Sequence, residues 1–246
     1  MSLTFGSLFA GIGGADLGLE RAGMACRWQV EVSDYCRRVL AKHWPDVRRH
    51  DDVRTFPPPG PLDAWRVDLV AGGDPCQGNS NAGSVHGRRH EDLGVEFVRV
   101  VDALRPPLVL RENPYPHRPD ALWPWWRMRS ALEALGYAVL PFRLRSCCLG
   151  AHHRRDRVWL FGHHPHAGRQ RPQGVHREGE PQGNSGGAGG DGGGAERRRD
   201  RLPAPRVCRG RHEVPRLVDR VAALGNSIDP VCAEWIGRLI LESLEG

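Results

Sequence analysis

The sequence predicts an α/β fold built on a doubly wound sheet, and three observations carry that expectation. Strand-like and helix-like stretches alternate from residue 4 to residue 161, the pattern that builds βαβ units. The first unit joins a strand over residues 4–9, a glycine turn, Ala10-Gly11-Ile12-Gly13-Gly14, and a helix over residues 15–22 that Gly23 stops. Glycines there let the backbone approach a ligand, and the helix N-terminus favours a carboxylate or phosphate. Thirdly, several strands end in an acid or a cysteine, at the edge where open α/β sheets bind ligands.

Taken in order, the first helix sets Leu17 and Leu19 on its apolar face. Residues 28–32 read as a second strand that carries Glu31, 18 residues beyond Gly13. That is near the ~20-residue offset at which an acid meets ribose hydroxyls; a solvated strand end is the alternative. A helix over 35–43 follows, and Asp51-Asp52-Val53 stands where a third short strand would end. The apolar run 67–71 reads as a buried strand and enters Gly72-Gly73-Asp74-Pro75-Cys76-Gln77. Two glycines allow a sharp turn, and Pro75 fixes φ just before a lone cysteine. A thiol on such a corner is presented as a nucleophile; an inert buried thiol is the alternative.

A polar loop over 78–92 leads to a helix over 93–104 with Val95, Val98, Val101 and Leu104 as its stripe, ended by Pro106-Pro107. Residues 108–110 form a strand that runs into Arg111-Glu112-Asn113-Pro114. A helix over 122–135 starts with Trp123, Trp125 and Trp126, read as packing residues. A strand over 137–144, a loop over 150–157 with three arginines and two histidines, and a strand over 158–161 complete the series.

The 246 residues suffice for one sizeable domain. No stretch approaches the ~20 apolar residues that span a bilayer, and the first residues do not read as an export leader. Seven cysteines at irregular spacing, without a C-x-x-C pair, predict reduced thiols in a cytosol. A net charge of +6 and a pI of about 9.2 suit a polyanionic partner. Lys42 is the only lysine among 35 basic residues, however, which looks like codon bias from a GC-rich genome. The placement of particular arginines therefore matters more than the total. The pairs Cys147-Cys148 and His152-His153, and the tract His163-His164-Pro165-His166, fit no ordinary zinc module, so no metal is expected.

From residue 163 to 216 the composition changes: no aromatic residue stands between Phe161 and Trp235, and 8 of the 12 residues over 183–194 are glycine. Such a stretch is expected to be flexible, and its arginines to form either a DNA-contacting arm or a solvated tail. A final helix over 231–244, with Ala233, Ile236, Ile240 and Leu244 on one face, is expected to pack back beside the first unit.

In order, Phe9-Ala10-Gly11-Ile12-Gly13-Gly14, Glu31, Asp52-Val53, Gly72-Gly73 with Pro75-Cys76-Gln77, Glu112-Asn113, the pair Arg155 and Arg157, and Gly225-Asn226 resemble the motifs of the cytosine-C5 DNA methyltransferase family. The likeness covers residues 4–161 and about 217–241, and it is strongest to short bacterial and phage members. It implies a Rossmann-like doubly wound sheet of the S-adenosylmethionine-dependent methyltransferase type, with a reduced, poorly ordered target-recognition region. Residues 1–162 would be the catalytic and cofactor-binding domain, 163–216 the reduced recognition segment, and 217–246 the C-terminal motif and helix. The implied cofactor is S-adenosylmethionine and the implied partner double-stranded DNA. The chain would act as a monomer in the cytoplasm of a bacterial or phage-infected cell, with room for a restriction endonuclease partner.

By the same resemblance, Cys76 as thiolate attacks C6 of a flipped-out cytosine. Glu112 contacts N3 and the exocyclic amine, and Arg155 and Arg157 hold the base. C5 then takes the methyl group. Phe9, Gly11, Gly13, Glu31, Asp52, Val53, Pro75, Leu93 and Asn226 would line the cofactor pocket.

Several positions depart from the family pattern. Asp74 stands where an apolar residue usually precedes the Pro-Cys pair. An anion ~6 Å from the thiol, at an effective dielectric of ~20, would cost the thiolate up to ~3 kcal/mol, or ~2 pKa units, unless Asp74 points away. Gly78-Asn79, Pro114 and His152 also differ from the usual residues around the target base. The thin interval before Asn226 predicts a very short recognition sequence or help from a partner chain. Two rivals stay open: an idle, cofactor-binding relative that binds DNA, and the same chemistry on RNA or with a larger transferred group. A nicotinamide oxidoreductase is disfavoured, because the G-x-G-x-x-G spacing is missing.

Overall fold

The computed structural model describes residues 2–75, 93–115, 123–165 and 227–245. Seven strands form one sheet: β1 (Thr4–Leu8), β2 (Ala25–Val30), β3 (Arg48–His50), β4 (Leu69–Gly72), β5 (Leu108–Pro114), β6 (Ala138–Arg145) and β7 (Asp156–His163). Their order is β3-β2-β1-β4-β5-β7-β6. The first five strands pair in parallel, whereas β7 lies antiparallel between β5 and β6. Strand order reverses between β1 and β4, so the crevice beyond their C-terminal ends is a topological switch point.

The central strands alternate their side chains between two buried faces. Val70 and Val109 join a cluster with Phe97, Val100, Val101, Leu104, Trp125 and Leu132, from helices α3 (Gly94–Leu104) and α4 (Trp123–Ala134). Leu69, Ala71, Leu108 and Leu110 join the opposite cluster with Leu19, Cys232, Ile236 and Ile240, from α1 (Gly14–Ala22) and α5 (Pro230–Glu245). Burial on both faces is why these strands read as continuous apolar runs. Helix α2 (Asp34–His43) starts where the Ser33 side chain accepts from the Cys36 backbone N–H, an N-cap.

Three helical faces differ from expectation. On α3 the buried row is Phe97, Val100, Val101 and Leu104, while Val95 is exposed. Each i+3 step falls about 60° short of a full turn, so three such steps carry Val95 to the side opposite Leu104. Leu17 is exposed and Leu19 buried, since residues two apart on a helix point almost oppositely. Leu244 is exposed although Ala233, Ile236 and Ile240 are buried; α5 has 16 residues against 9 in its partner α1, and its last turn outruns the contact. Trp125 packs in the core as expected, whereas Trp126 is half exposed with Arg129 over its ring. The side chain of Trp123, and nearly all of the segment expected to be flexible (166–216), lie outside the described residues.

One buried acid sits under the sheet. Asp16 of α1 is fully buried and accepts from Ser7 Oγ (3.0 Å) and Gln29 Nε2 (2.8 Å). Burial raises its pKa, outweighing those bonds. A carboxyl whose pKa is raised by folding contributes stability that is full below the unfolded pKa and is lost as pH rises through the folded one. Asp16→Asn avoids that loss and keeps the Gln29 contact. Its melting temperature is expected to match wild type at pH 4 and to exceed it at pH 8; a variant several degrees less stable at pH 8 would mean the ion itself is needed.

Candidate active site

The switch point is built by two loops that leave adjacent strands. Leu8 of β1 is paired with Gly72 of β4, and past them the chain turns into Phe9–Gly13 on one side and Gly73–Pro75 on the other. Phe9, Gly11 and Gly13 all have positive φ (53°, 59° and 88°), which lifts the turn away from the strand before α1 begins. A Cβ added at Gly11 would meet nothing within 4 Å, so the turn faces open space. Glu31, just past β2, accepts from Gly11 N and Ser33 N, each at 2.8 Å. Its carboxylate therefore braces the glycine turn and retains lone pairs for a ligand.

The other proposed pocket residues fall into two groups. Phe9, Val53 and Leu93 pack on the same apolar cluster. Asp52 follows β3, caps the turn Val53–Thr55 and is held by Arg54 at 2.7 Å, which keeps its pKa low. Pro75 is exposed. Cys76 and Asn226 lie outside the described residues; their neighbours Pro75 and Ser227 do not. A Cβ on Gly14 would lie 2.0 Å from Ile228 O, so the segment following Asn226 rests directly on the first turn of α1. A cleft of about 650 Å³ beside that turn is lined by Gly13, Gly14, Trp44, Arg155, Ser227 and Asp229, among others.

The carboxylate centre lies on β5 and β7. Glu112 is 5% exposed, with Arg157 Nε 2.7 Å and Arg155 Nη2 3.9 Å from its Oε1. The 2.7 Å approach is a buried ion pair whose two atoms have no other hydrogen-bond partner among the described residues. Arg155 also donates to the Ser227 carbonyl, tying the centre to the C-terminal segment. Burial raises the Glu112 pKa, opposed first by Arg157 and then by Arg155. Arg155 is lowered chiefly by its own burial. Arg157, expected at the end of a loop, is the second residue of β7, and the pairing with β5 sets its guanidinium against Glu112. Gly73 crosses over this carboxyl: a Cβ there would lie 3.0 Å from both Glu112 O and Oε2.

Asp74 corrects the expected electrostatics. It is buried and neither points into solvent nor stands as a bare anion. Arg111 Nε donates to its Oδ1 at 2.5 Å, Arg111 Nη2 to Oδ2 at 2.8 Å, and Asn113 Nδ2 to Oδ1 at 3.0 Å. The Trp125 ring covers the guanidinium at 4.9 Å. The penalty expected for a neighbouring thiolate is thus opposed by a cation at contact distance. Sequence reading gave Arg111 no role. Its signal is an arginine directly after the apolar run 108–110, which a buried strand tolerates only with a partner.

The model of the C-5 cytosine-specific DNA methylase family matches residues 3–183. Among curated proteins, the chain is 35% identical over 162 residues to the Type II methyltransferase M2.BsuMI of Bacillus subtilis, covering 63% of this chain and 40% of that protein. It is 33% identical over 174 residues to M1.HphI of Haemophilus parahaemolyticus, covering 66% and 46%. The chain thus spans less than half the length of either relative. A crystal structure of a Spodoptera frugiperda DNMT2 mutant superposes with a TM-score of 0.55 at 16% identity, over 68% of this chain and 51% of that one. That likeness is one of fold.

Proposed function

Because this chain belongs to the C-5 cytosine-specific DNA methylase family, we propose that it transfers a methyl group from S-adenosylmethionine to C5 of a flipped cytosine in double-stranded DNA. The observation that carries this reading is Glu112, buried between Arg155 and Arg157 directly beneath Gly73. A raised pKa keeps a proton on that carboxyl at higher pH than usual, ready to bond N3 of the base.

The switch-point crevice fits the cofactor: the glycine turn faces open space and Glu31 braces it. Gly11, Gly13, Glu31 and Asp52 would hold the polar parts; Phe9, Val53, Pro75 and Leu93 would line the apolar part of the pocket; Asn226 would close it. S-adenosylmethionine, when bound, supplies an electrophilic methyl group. Cys76 adds as thiolate to C6, which places the electron pair on C5. Glu112 bonds N3 and the exocyclic amine, so charge entering the ring is neutralised. Arg157 and Arg155 fix Glu112 and hold the base. After loss of the C5 proton the thiolate leaves.

Residues 1–162 form the catalytic part on this reading, 163–216 the site of target recognition, and 217–246 the closing motif. On this reading the chain acts as a monomer on DNA in the cytoplasm. Separately, no helix among the described residues is long and apolar enough to cross a membrane. Bisulfite sequencing of host DNA from cells expressing the protein, beside Cys76→Ala, tests the proposal. Protected cytosines in one short context are expected, and none with the variant. Absence of protection, with purified protein still binding S-adenosylmethionine, would leave an idle DNA-binding relative or the same chemistry on RNA.

A further inference from the structure

The Asp74–Arg111 pair has a place in the site that stability alone does not explain. Asp74 is one residue before Pro75, at the exit of β4, and Arg111 is one residue before Glu112 on β5. The pair therefore joins the two strand ends from which the nucleophile and the base-contacting acid depart. Both side chains are nearly sealed from water, at 6% and 4% exposure. The contact is a two-pronged fork, which fixes orientation as well as distance. Asn113 adds a third donor from the same strand and Trp125 of α4 roofs the guanidinium, so β5 holds the carboxylate and a helix seals the cation. An apolar pair would close the same corner with equal or better stability. The charges are therefore better explained by what they do to their neighbour.

We propose that Arg111 is a positioning residue for the nucleophile: it pins the Gly73–Pro75 corner through Asp74 and cancels the Asp74 charge, so that the adjacent Cys76 thiol stays acidic. This rests on the reading of Cys76 as nucleophile. The other charged groups around the corner are Glu112, on the same strand as Arg111, and Arg155 and Arg157 from the β7 side. Arg111 also acts on Glu112, whose pKa it lowers, so the readout is taken on the Cys76 thiol itself.

The test is alkylation of Cys76 by iodoacetamide across pH 5 to 10, read on the Cys76 peptide by mass spectrometry so that other thiols do not interfere. Arg111→Met removes the cation and is expected to move the Cys76 midpoint up by roughly 1–2 pH units. Asp74→Asn leaves the cation unopposed and is expected to move the midpoint down. The double variant Asp74→Leu/Arg111→Met carries neither charge, and its midpoint is expected within about half a unit of wild type. Arg111→Gln keeps donors toward Asp74 without the charge; it replaces Arg111→Met if that variant does not fold, with the same upward shift expected. Methyl transfer should follow the midpoint: Arg111→Met is expected to fall at least tenfold below wild type at pH 7, with the ratio of the two rates narrowing as pH rises. Folded single variants with the wild-type midpoint, or a double variant displaced as far as Arg111→Met, would overturn the proposal. A wild-type protein that alkylates normally at Cys76 yet never methylates DNA would instead sink the methyltransferase reading, and the midpoints would still decide the role of the pair.

Discussion

Glu112→Gln is expected to lower single-turnover methyl transfer by roughly 10²–10⁴-fold while the protein remains folded. Glutamine has the same shape and keeps an oxygen for Arg157, now 2.7 Å from the carboxylate. What it lacks is an acidic proton and the option of negative charge. The pH dependence carries the second half of this prediction. Burial raises the Glu112 pKa despite three nearby arginines, so the protonated form persists upward from the ordinary carboxylate range. Wild-type rate should therefore fall on the alkaline side as Glu112 loses its proton, and Glu112→Gln should lack that descending limb. Binding of S-adenosylmethionine, measured by calorimetry, should change little. A variant within threefold of wild type would remove Glu112 from the chemistry.

Gly6→Ala is expected to cost about 3 kcal/mol or more, from overpacking together with the partial ejection of a buried indole. Gly6 lies in β1, between β2 and β4. A Cβ there would fall 2.0 Å from Trp28 Cζ2 and 2.1 Å from Cε2. The indole has nowhere to go: it is 1% exposed, donates to Trp65 O at 2.8 Å and lies 4.7 Å from the Phe56 ring. Total stability of such domains is typically about 5–15 kcal/mol, so a large share would be lost. Urea unfolding measures it, and Gly6→Ala/Trp28→Leu should recover a substantial part by vacating the space. A loss under about 1 kcal/mol would contradict the close contact.

Much of this arrangement is local, and local patterns are what a sequence displays. The strand, glycine turn and helix at residues 4–22 are read directly, because a glycine at positive φ and a stop at Gly23 are properties of a few adjacent residues. The buried strands β4 and β5 are read equally well, since burial on both faces demands uninterrupted apolar runs. Errors arise where a decision depends on what lies across the contact. Nothing in the order Val95, Val98, Val101 and Leu104 says that Phe97 and Val100 face the sheet, or that α5 extends beyond α1 before Leu244.

The candidate site divides along the same line. Residue types and their order mark Cys76, Glu112, Arg155, Arg157 and the glycine turn as candidates, because together they resemble the motifs of one family. Only tertiary structure decides which charges stand beside the described members, Glu112 and the arginines. Asp74 and Arg111 are 37 residues apart in sequence, and each alone looks like a defect in an apolar stretch. Parallel pairing of β4 with β5 brings them to 2.5 Å. A Coulomb interaction depends on separation in space and on how much water lies between, and neither quantity is written along the chain.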